Sequence, residues 1–85
     1  MFKPRISKLE FQKLRSALVG HNFSKFERDK VEEIFRGDME EIGDNAGIDA
    51  NELTRGLAWM RANKSKHGLS DDKIELLEGE MKKWL

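Results

Sequence analysis

The chain has 85 residues with sixteen basic and sixteen acidic side chains, and it contains no cysteine. The absence of cysteine excludes disulfides, thiolate nucleophiles and zinc sites built on cysteine. Its first residues lack the apolar core of a signal peptide, and no run approaches the roughly 20 apolar residues that span a bilayer, so we expect one cytoplasmic domain, residues 1–85, with no membrane contact.

Four short motifs predict where helices begin. In each motif an apolar residue precedes Ser or Asp, whose side chain can accept hydrogen bonds from the first free N–H groups of a helix. Three motifs also have glutamate three residues after the cap, which completes a capping box. The apolar and capping pairs are Ile6-Ser7, Phe23-Ser24, Ile48-Asp49 and Leu69-Ser70, and the glutamates are Glu10, Glu27 and Glu52. The chain is therefore predicted to form four helices.

Apolar residues recur every three or four positions after each start, which is helical periodicity. In chain order the stripes are Phe11, Leu14 and Leu18; Val31, Ile34, Phe35, Met39 and Ile42; Leu53, Leu57 and Met60; and Ile74, Leu77, Met81 and Trp84. No segment alternates apolar and polar residues for long enough to predict a strand. The predicted fold class is all-α, with four amphipathic helices forming two similar helical hairpins in one small domain, either EF-hand-like or a four-helix bundle. Gly37 and Gly56 lie inside predicted helices and indicate close helix crossings or kinks.

The two halves of the chain resemble each other. RISKLEFQKL is similar to GIDANELTRG, 42 residues later, and HNFSKFERD is similar to HGLSDDKIE, 46 residues later. This pattern predicts a duplicated helical hairpin, 1–43 and 44–85, whose copies differ by four residues in length. His21 and His67 occupy equivalent places in the two copies. Each is expected to bond the last carbonyl groups of the preceding helix.

GIDANELTRGL resembles the end of an EF-hand loop joined to the start of its exiting helix. Ile48 occupies the short strand position of such a loop, and Glu52 occupies the twelfth position, where EF-hands place a bidentate glutamate. PRISKLEFQKL repeats this half motif, and FERDKVEEIF resembles an entering helix. The resemblance implies a fold of paired helical hairpins.

A calcium site in this loop would use Asn45, Asp49 and Glu52. Ca²⁺ takes about six to eight oxygen ligands, most of them from the first half of the loop. That half offers one plausible ligand, Asn45, and has Ala46 where EF-hands place the glycine of the sharp turn. We therefore predict helix capping and no bound metal. A calcium-responsive EF-hand-like switch remains an alternative.

The sequence contains no recognisable catalytic motif. Nucleophile elbow, phosphate loop, HExxH and GxGxxG patterns are all missing, so we predict a protein that is not an enzyme and needs no cofactor. Residues 54–68 carry four basic and no acidic side chains, and LAWMRANKSKH places a tryptophan among them. Tryptophan and arginine dominate the energetics of interfaces. We predict a protein-interaction module, an adaptor, regulator or inhibitor, that binds another protein through this charged and aromatic helix face. The predicted partner-binding residues are Arg55, Trp59, Arg61, Lys64 and Lys66.

Nucleic-acid binding is a further alternative. The basic stretch 55–67, together with Lys3, Arg5 and Lys8, would supply the cations. The zero net charge argues against it, because non-specific affinity comes from neutralised phosphates. A homodimer is also considered, since small helical domains often complete their cores by association.

Overall fold

The computed structural model describes residues 4–40 and 46–85. Within these ranges the chain forms five helices: α1 (Lys8–Val19), α2 (Lys25–Met39), α3 (Ala50–Ala62), α4 (Lys64–His67) and α5 (Asp71–Lys82). The described residues include no strand, so the predicted all-α class is confirmed. The four long helices agree with the predicted count, and a fifth helix of a single turn, α4, separates α3 from α5. None of the five helices is long and apolar enough to cross a membrane.

Each of the four long helices begins where the sequence predicted. Their N-caps have extended backbone, and each side chain accepts a hydrogen bond from the N–H three residues on. The capping boxes at Ser7, Ser24 and Asp49 are all formed, with cap bonds of 3.1, 3.1 and 2.8 Å. Such caps typically contribute about 1 kcal/mol each. Local hydrogen bonds therefore define the helix boundaries.

Among residues 4–40 and 46–85, sixteen apolar side chains form one buried cluster. They are Ile6, Phe11, Leu14, Leu18, Phe23, Val31, Phe35, Met39, Ile48, Leu53, Leu57, Met60, Leu69, Ile74, Leu77 and Met81. The cluster contains most of each predicted stripe and the apolar residue before every N-cap. Ile34 and Trp84 are partly buried against it, and Ile42 lies outside the described residues.

The turns before α2 and α5 have matching backbone. Asn22 and Gly68 have φ values of 65° and 72°, in the left-handed region, which asparagine and glycine tolerate best. Each is followed by a buried apolar residue and then by a serine cap. The first residues of α1 and α3 are four residues closer in the sequence than the first residues of α2 and α5. Helix α4 is four residues long. The extra turn α4 thus accounts for the predicted difference in length.

One antiparallel bridge joins the starts of α1 and α3. Ile6 and Ile48 exchange both backbone hydrogen bonds, each 2.9 Å long. Gly47 precedes the bridge with φ 108°, and a β-carbon there would lie 2.9 Å from the carbonyl oxygen of Ile6. Glycine is therefore required for the two segments to come this close.

Ion pairs connect the first two helices. The guanidinium of Arg15 on α1 donates to Glu32 and Asp29 of α2, both at 2.7 Å. Burial alone would lower the pKa of Arg15, but its bonds to the two carboxylates outweigh this effect and raise it. The arginine therefore joins α1 to α2 through two charge-assisted hydrogen bonds.

Helix α5 packs against α1 and α3 and brings Glu80 to His21. The His21 Nε2 atom lies 3.0 Å from Glu80 Oε1, so the prediction that His21 bonds the carbonyls ending α1 was wrong. Backbone N–H groups of His21 and Phe23 already bond the Leu18 carbonyl there. The bond from His21, followed by that from Lys83, lowers the pKa of Glu80.

Candidate functional site

An open groove of about 820 Å³ lies between α2 and α3 and reaches α4. We call it the α2–α3 groove. Its lining residues are Lys30, Glu33, Ile34, Phe35 and Asp38 from α2; Glu52, Arg55, Gly56 and Trp59 from α3; and Lys66 and His67 from α4. Residues three or four apart on a helix share a face, which explains why each wall follows that spacing.

The helices approach closely at the floor of the groove. Phe35 is fully buried, and a β-carbon on Gly56 would overlap the Cε1 and Cζ atoms of its ring. The close crossing predicted at Gly56 is therefore confirmed. Gly37 has no such role, since a β-carbon there would meet none of the described atoms within 4 Å.

Trp59 forms the aromatic part of the α3 wall. Its neighbours Leu57 and Met60 point into the core, and about 100° of rotation per residue turns Trp59 away from them. The residue is 42% exposed, and its ring lies 6.2 Å from the ring of His67. Trp59 thus presents apolar surface to the groove while its inner edge adjoins α4.

His67 fixes the turn behind Trp59. It is buried, its Nε2 lies 2.7 Å from the Met60 carbonyl oxygen, and its Nδ1 lies 3.0 Å from the Leu69 nitrogen. Because Nδ1 accepts from the Leu69 N–H, the proton must be on Nε2, which donates to Met60. The predicted bond to the end of the preceding helix is confirmed for His67. Both ring nitrogens serve the fold, which leaves neither for proton transfer.

Two basic side chains of the groove are not neutralised by any other side chain in the described part of the chain. Arg55 and Lys66 form no side-chain ion pair or hydrogen bond within residues 4–40 and 46–85. The acidic residues of the groove are each engaged: Glu33 lies 3.7 Å from Lys30, Glu52 lies 3.5 Å from Arg5, and Asp38 also has a partner. A carboxylate from a ligand can therefore reach Arg55 and Lys66 without breaking an ion pair among the described residues.

The structure divides the five predicted partner-binding residues into two groups. Arg55, Trp59 and Lys66 line the groove. Arg61 instead faces α5 and pairs with Glu78 at 3.0 Å, and Lys64 pairs with Asp71 at 2.9 Å. Arg61 follows Trp59 by two residues, which places it on the other side of α3. The four cations of this stretch therefore do not share one face.

The α2 wall was not predicted as part of a site. Phe26 is 63% exposed, and the Lys30 ammonium lies 5.4 Å from its ring centre. Phe26, Lys30 and Ile34 follow one another at intervals of four residues, so they extend along a single face of α2. The signal in the sequence was Phe26, an aromatic residue outside the buried stripe.

The carboxylates proposed as calcium ligands are used by the chain itself. Asp49 accepts the Glu52 N–H at 2.8 Å, and Glu52 accepts the Asp49 N–H at 3.0 Å. The Arg5 guanidinium lies 3.6 Å from Asp49 and 3.5 Å from Glu52. Asn45 and Lys3 lie outside the described residues. Among those described, no group of three or more acidic or histidine side chains is arranged to hold a metal ion.

No protein-family model, curated protein or solved structure matches this chain.

Proposed function

We propose that this protein is a non-enzymatic protein-interaction module, acting as an adaptor, regulator or inhibitor, and that it binds a segment of another protein in the α2–α3 groove. The main support is the exposure of Trp59, a residue that is 42% accessible in an open groove. Tryptophan and arginine are the residues that most often dominate binding energy, and Arg55 lies one helical turn from Trp59.

The composition of the groove favours a protein segment over a small molecule. Small-molecule sites are mostly apolar and enclose most of their ligand. This groove is open along one side, and six of its lining residues are charged. An apolar centre with a polar, accessible rim is the arrangement of a protein interface. Two helices with a groove between them suit an amphipathic helix or an extended segment.

The alternatives have less support. Nucleic-acid binding would need the basic residues together, whereas Arg61 and Lys64 pair with α5 and Arg5 pairs with Asp49 and Glu52. A calcium switch would need the carboxylates of Asp49 and Glu52 to leave their capping bonds and Arg5.

The bridge between Ile6 and Ile48 supports the EF-hand resemblance, because it pairs the two positions that correspond to the short strands. We propose a scaffold of that kind in which capping replaces metal binding.

Affinity purification from the source cells tests the proposed function. Wild-type protein and Trp59→Ala serve as bait, and Leu9→Ala serves as the matched control, because Leu9 on α1 is 70% exposed and does not line the groove. We expect Trp59→Ala to weaken retention of the partner at least about tenfold, as truncation of a central tryptophan does. Circular dichroism must show equal helicity in all three proteins. Equal retention by wild type and Trp59→Ala would refute the proposed function.

A further inference from the structure

We infer that the segment bound in the α2–α3 groove is acidic and carries a large apolar side chain. The apolar side chain packs on Trp59, and carboxylates beside it pair with Arg55 and Lys66. This inference rests on the proposed function and specifies the chemistry of the partner.

The existing ion pairs in the groove favour an acidic ligand. An incoming carboxylate meets Arg55 and Lys66 without displacing any partner that they have among the described residues. An incoming lysine or arginine would have to compete with Lys30 for Glu33 and with Arg5 for Glu52. Breaking such pairs offsets the gain from new ones, so the groove discriminates between ligands by charge.

The apolar surface of the groove requires an apolar anchor. Trp59 is exposed, Ile34 is partly buried, and the fully buried Phe35 closes the floor below them. Burying the remaining surface of Trp59 needs a large side chain, such as leucine or phenylalanine. Phe26 and Lys30 continue the α2 wall by about one helical turn, which provides a second apolar contact.

The spacing on α3 constrains a helical ligand. Arg55 and Trp59 are four residues apart, which is about 6 Å along the helix axis. A helical ligand matches this distance when a carboxylate lies three or four residues from its apolar anchor. The guanidinium of Arg55 can donate two hydrogen bonds to such a carboxylate in bidentate geometry, which adds specificity to the contact.

The outer face of α5 has the same chemistry as the inferred ligand. Asp72, Glu75 and Leu76 are exposed there, and Leu76 is 41% accessible. A second copy of this chain is therefore the competing occupant of the groove. Sedimentation of the wild-type protein and of Arg55→Glu distinguishes self-association from binding of a segment of another protein.

The test is a titration of ¹⁵N-labelled protein with three synthetic helical peptides of about 16 residues, long enough to form helix. The first combines glutamates with leucines at i, i+4 and i+7; the second has lysine for every glutamate; the third has alanine for every leucine. We expect the first peptide to shift the amides of Arg55, Trp59 and Lys66. The other two should bind at least about tenfold more weakly.

Charge reversal in the protein provides the matched comparison. The double variant Arg55→Glu, Lys66→Glu should prefer the lysine peptide. Lys13→Glu, which changes an exposed cation on α1 away from the groove, should keep the wild-type preference. Sedimentation should show wild-type protein as a monomer at the titration concentration.

Several results would overturn the inference. These are equal binding of the acidic and basic peptides, shifts confined to residues outside the groove, and no binding by any peptide. A wild-type dimer that Arg55→Glu converts to monomer would assign the groove to a second copy. If Trp59→Ala loses the cellular partner while the charge preference is absent, the proposed function stands and only the acidic chemistry is wrong.

Discussion

The ring of Phe35 on α2 lies directly against the backbone of Gly56 on α3, where a β-carbon would overlap it. Gly56→Ala therefore has opposing effects. Alanine favours helix by about 1 kcal/mol, but overpacking a buried ring costs about 1 to 3 kcal/mol. We expect the free energy of unfolding to fall by up to about 2 kcal/mol, measured by urea denaturation.

Gly79→Ala is the control for that substitution. A β-carbon on Gly79, inside α5, would meet none of the described atoms within 4 Å. The change should raise the free energy of unfolding by up to about 1 kcal/mol. If both alanine variants gain stability equally, the contact between Phe35 and Gly56 does not restrict the helix crossing.

His67 is predicted to be essential for stability. His67→Ala leaves the buried Leu69 N–H without its acceptor, which costs about 1 to 3 kcal/mol. It also removes one of two bonds to the Met60 carbonyl, which keeps the bond from the Asn63 N–H. We expect a decrease of about 2 to 4 kcal/mol in the free energy of unfolding, measured at neutral pH. His21→Ala, at a half-exposed position, should cost less than about 1 kcal/mol. A long-range ¹H–¹⁵N spectrum of the His67 ring must show the proton on Nε2.

Acid should destabilise the fold between pH 5 and pH 2. Hydrogen bonds from Lys25 and then Arg15 lower the pKa of Asp29 to about 2, and the bond from Arg15 is the main cause that lowers the pKa of Glu32. Unfolded Asp and Glu titrate near about 3.9 and 4.3. A lowered pKa contributes stability that is complete above these values and is lost as the pH falls toward the folded-state pKa.

Urea denaturation at a series of pH values checks this prediction. Glu32→Gln removes one of the groups with a lowered pKa, so its stability should depend less steeply on pH than that of the wild type. A wild-type free energy of unfolding that is unchanged from pH 7 to pH 3 would show that these pairs add nothing.

Asp49 is predicted to act as a helix cap. Asp49→Ala should lower the free energy of unfolding by about 1 kcal/mol, whereas Asp49→Asn should cost less, because asparagine caps about as well as aspartate. Millimolar Ca²⁺ should leave the melting temperature and the amide shifts of Asp49 and Glu52 unchanged. Calcium-induced stabilisation of the wild type that Asp49→Asn abolishes would instead indicate a metal ligand.

The helix starts were predictable because their determinants are local. A capping box connects residues three apart, as Ser7 and Glu10 show. A hydrophobic staple, the contact between the apolar residue before the cap and another five positions later, connects Ile6 and Phe11, so both motifs can be recognised from spacing alone. The buried stripes follow for the same reason. Tertiary packing then buries the helix faces on which apolar residues recur every three or four positions.

The groove was only partly predictable because it depends on distant pairs. The approach of α2 to α3 is set by Phe35 and Gly56, 21 residues apart in the sequence. Arg61 does not lie on the predicted face because it pairs with Glu78, which is 17 residues away in the sequence. The pairing of His21 with Glu80 spans 59 residues. Composition indicated Trp59 and Arg55 but gave no information on which cations α5 would neutralise.

The bridge between Ile6 and Ile48 determines how fast two backbone amides exchange with water. Its two amides belong to segments 42 residues apart, and both side chains lie in the core. Both amides become exposed only when this bridge opens and the two isoleucine side chains leave the core, so both should exchange deuterium slowly. Because a single opening frees both amides, their protection factors should be equal, and they report the stability of the junction between the starts of α1 and α3.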